Sequence, residues 1–368
     1  MLTRLALAMA LVGCATDIDV DVDTGSTEQA IRQCPEDFCG ANSPTIAAYG
    51  FYNFNTDGYT VNNAGFRLMG MSLGNEWFDL VVRDSAIIGR SPRGDISGSK
   101  LVGATIWIAQ GRRQYGIVID DVGTANEVVG RGEPIEDYLL NYSAVIANPL
   151  PYLIRGGTIR EAPVVSGKKD AVCPYPPDPY LNGRIEWDES VSPLAHMSPY
   201  QTLVYEGDVI YADSRTVDPK VDDHWFNIAC AAHTLAKLRL TRNTIKLTPW
   251  ENVQSALKAL SADYCGTGNG WTIPGQPLVW TEGAVAMPYW NTPRGLEARW
   301  DETGALCLDE PRVLNSAYAA GQFPSTVHSD ILDECANAAS PRKLQPCNNP
   351  DPYSTEFPTE KLTTGLFN

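Results

Sequence analysis

Histidine is scarce, with four in 368 residues, and no H-E-x-x-H pair occurs. No two cysteines stand in a C-x-x-C spacing. Zinc clusters draw on such sets, so no metal centre is expected. A G-x-S-x-G elbow is missing as well, which removes the commonest serine-hydrolase signature. Positive charge is sparse: 28 Lys and Arg against 44 Asp and Glu give a formal net charge of −16. A chain this acidic lacks a broad basic face for nucleic acid or anionic lipid, so no nucleic-acid partner is expected. Beyond the first thirteen residues, no apolar run approaches the roughly 20 residues of a membrane helix.

What is present begins with an export pattern. Arg4 is followed by the apolar run Leu5 to Val12 and then Gly13-Cys14. One positive charge, a short apolar core and a small residue before the cut are the parts of a signal peptide, assigned to residues 1–13. Leu11-Val12-Gly13-Cys14 resembles the lipobox of bacterial lipoproteins. That resemblance implies diacylglyceryl transfer to Cys14, cleavage after Gly13 and acylation of the new amine. Loss of Arg4 with the signal moves the charge from −16 to −17. The expected address is the bacterial cell envelope, with the membrane as partner through the lipid. Ala15 in place of Asp leans the reading toward the outer membrane. Residues 14–45 read as an acidic tether and a Cys-clipped lead-in, with Asp17, Asp19, Asp21 and Asp23 alternating with apolar residues. A calcium loop would need a central Gly and a distal Glu that this stretch lacks.

Nine cysteines is an odd count. With Cys14 taken by lipid, Cys34, Cys39, Cys173, Cys230, Cys265, Cys307, Cys335 and Cys347 form an even set. In an exported protein these read as disulfide candidates, with on the order of a hundred possible connectivities. The 31 glycines and 26 prolines indicate a chain rich in turns. Residues 46–164 read as β-rich, possessing a clear hairpin at Ala104–Ala109 and Tyr115–Ile119, with further strands at Phe78–Ile88 and Tyr138–Val145. Pro149 to Pro179 reads as a loop around Cys173, and Thr202–Ala212 as strand. Two helices are then expected. One is capped by Asp223 and runs to Leu240, with Phe226, Ala229 and Ala236 on one face. The other starts at the capping box of Thr248-Pro249-Trp250-Glu251 and runs to Tyr264, with Gly266 as its stop. Trp271–Trp280 and Leu296–Leu308 read as hairpins, and residues 314–368 as an irregular tail carrying Cys335 and Cys347. The expected fold class is α+β: a β-rich N-terminal half, a central antiparallel pair of helices, then further hairpins, stabilised by disulfides.

Ala262-Asp263-Tyr264-Cys265 carries a family resemblance. So do Phe226-Asn-Ile-Ala-Cys-Ala-Ala-His-Thr-Leu-Ala-Lys237 and the hairpin from Trp300 to Leu308. The chain resembles the ADYC-domain family of exported bacterial proteins of unknown function, with coverage over 165–313. The resemblance names a domain and no reaction. Asp263 then stands in the last turn of a helix, where carbonyl ends disfavour an acid by about 0.3–1 kcal/mol. A compensating donor is expected from the first helix's N-terminus or from an arginine. Antiparallel packing of the two helices would also bring Cys230 toward Cys265, although their axial offset requires a tilt or an early helix end. Cys173–Cys307 would follow, with Cys34–Cys39 and Cys335–Cys347 as local clips.

Three functional classes compete. A thiol-dependent hydrolase would use Cys265 as nucleophile, His233 or His224 as base and Asp263 as orienter. A helix C-terminus and a neighbouring acid both raise a thiol's pKa, which opposes that role. Gly266-Thr-Gly-Asn-Gly270 follows a helix and precedes a strand, the reverse of a phosphate loop. A glycan- or peptide-binding module would expose Trp271, Trp280, Tyr289 and Trp290, whereas Trp225, Trp250 and Trp300 read as core. The reading favoured is a lipid-anchored structural or interaction module without a cofactor, its partner an envelope protein or glycan.

Overall fold

Between Phe66 and Ala147 the described strands fold as two antiparallel meanders, one over Phe66–Ser97 and one of Thr105–Gln110, Arg113–Asn126 and Pro134–Ala147, laid side by side where Phe66–Leu73 pairs with Thr105–Gln110. The computed structural model describes residues 44–47, 49–51, 53–126, 134–147, 164–165, 169–173, 200–207, 209–211, 216–218, 224–231, 234–240, 250–272, 279–282, 285–286, 295–315, 325–347 and 362–366. The signal segment, Cys14, Ala15, the tether, Cys34, Cys39, Asp223, His233, Tyr289 and Trp290 lie outside the described residues.

The principal strands of the large sheet are β1 (Asn53–Asn55), β2 (Phe66–Leu73), β3 (Glu76–Arg83), β4 (Ala86–Ser91), β5 (Gly94–Ser97), β6 (Thr105–Gln110), β7 (Arg113–Asn126), β8 (Pro134–Ala147), β9 (Gln201–Glu206) and β10 (Trp225–Cys230). Their order is β1-β10-β9-β8-β7-β6-β2-β3-β4-β5, with Asp170–Ala171 and Val164–Val165 added along β8. The expected hairpin at 104–119 is β6–β7, joined through Gly111 and Arg112. Phe78–Ile88, expected as one strand, is instead the β3–β4 hairpin. Asp84 (φ 51°) and Ser85 (φ 61°) occupy the left-handed region of a two-residue turn. Glu206 at the end of β9 accepts both of their amide hydrogens, at 3.0 and 3.2 Å. Tyr138 on β8 accepts the Ile87 amide of β4 at 2.7 Å. These contacts between strands distant in the order show that the sheet rolls over its own apolar face. Phe54, Phe66, Leu68, Phe78, Ile106, Ile117, Leu140, Val204 and Ile228 fill the inside.

The other face of β9 and β10 supports a second layer. Helices α1 (Thr234–Leu240), α2 (Trp250–Ser261), α3 (Arg312–Asn315) and α4 (Val327–Asn337) are joined by strands β11 (Val279–Glu282), β12 (Val285–Ala286), β13 (Gly295–Asp301), β14 (Gly304–Leu308) and β15 (Leu362–Leu366). These strands form a second sheet ordered β12-β11-β15-β13-β14. Leu203, Tyr205 and Ala229 pack there with Leu235, Leu257, Tyr264, Trp300 and Ile331.

The α+β expectation is overturned: the protein is mostly β, with about 50% strand and 18% helix among the described residues. The helix expected from residue 223 is where that reading fails. Trp225–Cys230 is strand β10, pairing with β9 and β1. Its aromatic and β-branched residues are apolar on both faces because β10 is covered on both, so it lacks the alternation that marks a half-exposed strand. Only Thr234–Leu240 is helical. The tail expected to be irregular holds α4 and β15, and β15 is an inner strand of the second sheet. Trp271 and Thr272 are not strand, and β11 begins at Val279, where it pairs with β15 and β12.

Candidate functional site

Ala262, Asp263, Tyr264 and Cys265 form the turn that leaves α2, and all four are buried. The helix stops at Ser261 rather than at Tyr264. Ala262, with φ 54°, takes the left-handed position that usually belongs to glycine. Its amide donates to Ala259 O at 3.1 Å, and the Asp263 amide donates to Lys258 O at 2.9 Å. This is the Schellman pattern, which satisfies the last carbonyls of the helix.

Asp263 receives three donors. Lys258 Nζ, from the same helix, lies 2.7 Å from Oδ2, and the two side chains are 5% and 0% exposed. The Thr267 amide donates to Oδ1 at 3.0 Å and the Gly268 amide to Oδ2 at 3.1 Å. The expected donors, the first helix's N-terminus or an arginine, are replaced by this local set. The same amides answer the phosphate-loop question, since Thr267 and Gly268 already serve a carboxylate. Gly266 is no helix stop. A Cβ there would lie 2.1 Å from Thr303 O, so glycine is needed for the turn to pass over the β13–β14 hairpin.

Tyr264 stacks on Trp300, with centroids 5.2 Å apart and planes at 22°. Its hydroxyl donates to Glu297 Oε1 at 2.6 Å, and its carbonyl accepts the Ala305 amide at 2.8 Å. Glu297 Oε1 also accepts from Arg312 Nε at 2.7 Å, while Arg312 Nη2 reaches Ala259 O at 2.7 Å. Burial, then the Glu297 charge, pushes the Tyr264 hydroxyl far above its usual pKa, so it stays a donor. Burial opposes the Arg312 charge, but Glu297 and Tyr264 beside it raise the pKa and keep the guanidinium protonated.

Cys265 is joined to Cys335 of α4, Cys173 to Cys230, and Cys307 to Cys347. The expected Cys230–Cys265, Cys173–Cys307 and Cys335–Cys347 pairings are therefore corrected. Cys230 ends a strand instead of lying on a helix antiparallel to α2, so the packing argument for its pairing falls. From α4, Glu334 accepts the Thr267 hydroxyl, the Asn269 side-chain Nδ2–H and the Trp271 indole N–H at 2.6, 3.0 and 2.9 Å.

The thiol-enzyme arrangement is not assembled among the described residues. Cys265 is spent in a disulfide, and His224 stands at the head of β10, its carbonyl accepting the Thr56 amide. Trp271, expected in an exposed platform, is 4% exposed, and Trp300 is core as expected. Lys258, Glu297, Arg312 and Glu334 were missed by sequence reasoning. One signal was available for Glu297: a charge set within the apolar run of a hairpin that otherwise reads as core.

With three disulfides among its described residues, this β-rich fold is of the disulfide-stabilised class. Residues 184–314 match the ADYC domain, and the chain carries that domain. No curated protein and no solved structure matches the chain.

Proposed function

We propose that this protein is a lipid-anchored module of the bacterial cell envelope, on the outer membrane, that serves a structural or interaction role. One observation carries the structural part. The two reactive groups of the motif are both consumed by the fold, Cys265 by Cys335 and the Asp263 carboxylate by Lys258 and two amides. A catalytic thiol or acid needs a free valence facing a substrate. Here both groups tie α2 to its neighbours. Anchorage rests on the Leu11–Cys14 resemblance, with the acidic segment that follows as leash.

The test is mass spectrometry of the mature, non-reduced, alkylated protein. The expected result is an acylated Cys14 and no alkylation at Cys173, Cys230, Cys265, Cys307, Cys335 or Cys347. Stoichiometric alkylation of Cys265 would overturn the structural role, and an unmodified Cys14 would overturn the anchor.

A further inference from the structure

The net charge of this protein conceals a local exception. Phe66, at the start of β2, collects several exposed residues around it. Tyr49, 46% exposed, places its ring edge-on to Phe66 with centroids 6.2 Å apart. Gln110, the ladder partner of Phe66, leads directly into the exposed tip Gly111-Arg112-Arg113. Val61, 57% exposed, bridges to Arg67, the residue after Phe66. Tyr59, two residues before Val61, is 74% exposed, the highest among the exposed large apolar and aromatic side chains. Its loop is held fast. Asp57 Oδ1 accepts the amides of Tyr59 and Thr60 at 2.7 and 2.8 Å, and Thr56 donates through its amide and hydroxyl to His224 O. The Asp57 carboxylate is thereby turned onto its own loop. Among the described residues, Arg67, Arg112 and Arg113 make no ion pair.

We infer that this end of the rolled sheet, with Tyr49, Tyr59 and Val61 beside Arg67, Arg112 and Arg113, docks on the phospholipid surface that holds the anchor. The inference rests on the lipid anchor proposed above. Two arguments select that occupant. The first is charge: three arginines without ion pairs, on a protein of formal charge −16, orient this end toward lipid phosphates and the acidic remainder away. Each arginine close to an anionic leaflet favours the docked state by about fivefold. Tyrosine rings suit the headgroup layer, where one end is wet and the other apolar. The second is chain entry. The segment after the lipid joins the described fold at Pro44, whose carbonyl accepts the Phe51 amide, close in sequence to Tyr49. The segment 15–43 is all that separates the lipidated Cys14 from Pro44 in sequence. It holds the patch at high effective concentration near the bilayer, so weak contacts suffice to orient the domain.

Hydrogen exchange read by mass spectrometry tests this on the full lipidated protein. Exchange in vesicles of phosphatidylethanolamine and phosphatidylglycerol is compared with that of the Cys14→Ser mature chain in buffer. The expected result is exchange slowed several-fold at 57–61 and 110–114 in vesicles, with protection weakened by salt and lost in Arg67→Glu/Arg112→Glu/Arg113→Glu. Equal exchange in both settings, with Cys14 acylated, overturns docking while leaving the anchor intact. A Cys14 without acyl mass overturns the anchor itself. Protection that appears without vesicles and grows with protein concentration assigns the face to a second copy and likewise overturns the proposal.

Discussion

Asp263 is the residue whose chemistry most invites a catalytic reading, and its surroundings argue for a cap. A carboxylate at a helix C-terminus meets the negative end of the helix dipole. Lys258 and two turn amides offset that here. Removing one partner of a buried ion pair leaves the other charge uncompensated, at a cost of about 3–5 kcal/mol. Asp263→Asn is therefore expected to lower stability by about 3 kcal/mol in denaturant unfolding, and Lys258→Met/Asp263→Asn to recover part of the loss. A double variant no better than the sum of the singles would show that the two groups are not coupled. Asp137 on β8 behaves differently. Burial, then the charge of Asp121, raises its carboxyl to about 6, while the Gly123 amide opposes the rise. Glycine at 123 makes room for the carboxyl, since a Cβ there would lie 2.5 Å from Asp137 Oδ1 and displace it. With the folded pKa above the unfolded one, the folded state holds the extra proton. This contribution is fully present below pH 3.8 and is lost as pH rises through about 6. Asp137→Asn should flatten that slope and stabilise the protein at pH 7 by about 2 kcal/mol. An unchanged slope between these limits would reassign it to other groups.

Elements show which parts of the fold were legible. The hairpins at 104–119 and 296–308 were readable because their strands alternate or carry β-branched residues around short turns. Strand β10 was not. Buried on both faces, it shows no period of two, and Ala229, Ala232 and Ala236 mimic a helical stripe. The motif turn was legible as a helix end, yet its partners Glu297, Arg312 and Glu334 lie far along the chain, where spacing says nothing of proximity. Cysteine number could be read in the same way as an even set, and the pairing could not. The Cys265–Cys335 bond closes a 70-residue separation and holds α4 against the turn. Loop entropy assigns such a crosslink about 4 kcal/mol. Cys265→Ser/Cys335→Ser should lose about that much, with α4 amides first to exchange. Retained protection of α4 would mean that the bond to α4 is redundant with the Glu334 contacts.

At the scale of the whole molecule, the segment that matches the ADYC domain is not a closed structural unit. Each of the three described disulfides has one cysteine inside residues 184–314 and one outside: Cys230 with Cys173, Cys265 with Cys335, Cys307 with Cys347. Within the segment, β9 and β10 are interior strands of the large sheet, paired outward to β8 and β1. Strand β13 likewise pairs with β15, which begins at Leu362. The apolar faces of β9 and β10 are covered by residues from both sides of the segment. A chain of residues 184–314 alone would therefore expose the face of β9 and β10 that packs on the strands preceding the segment, lose part of the cover on the other face, and leave three cysteines without partners. It is expected to show no cooperative thermal transition and no fixed aromatic environment by near-ultraviolet circular dichroism, whereas residues 44–366 should unfold in a cooperative transition. A cooperative melt of the short chain would mean that its own contacts suffice, and that the large sheet docks onto a domain formed without it.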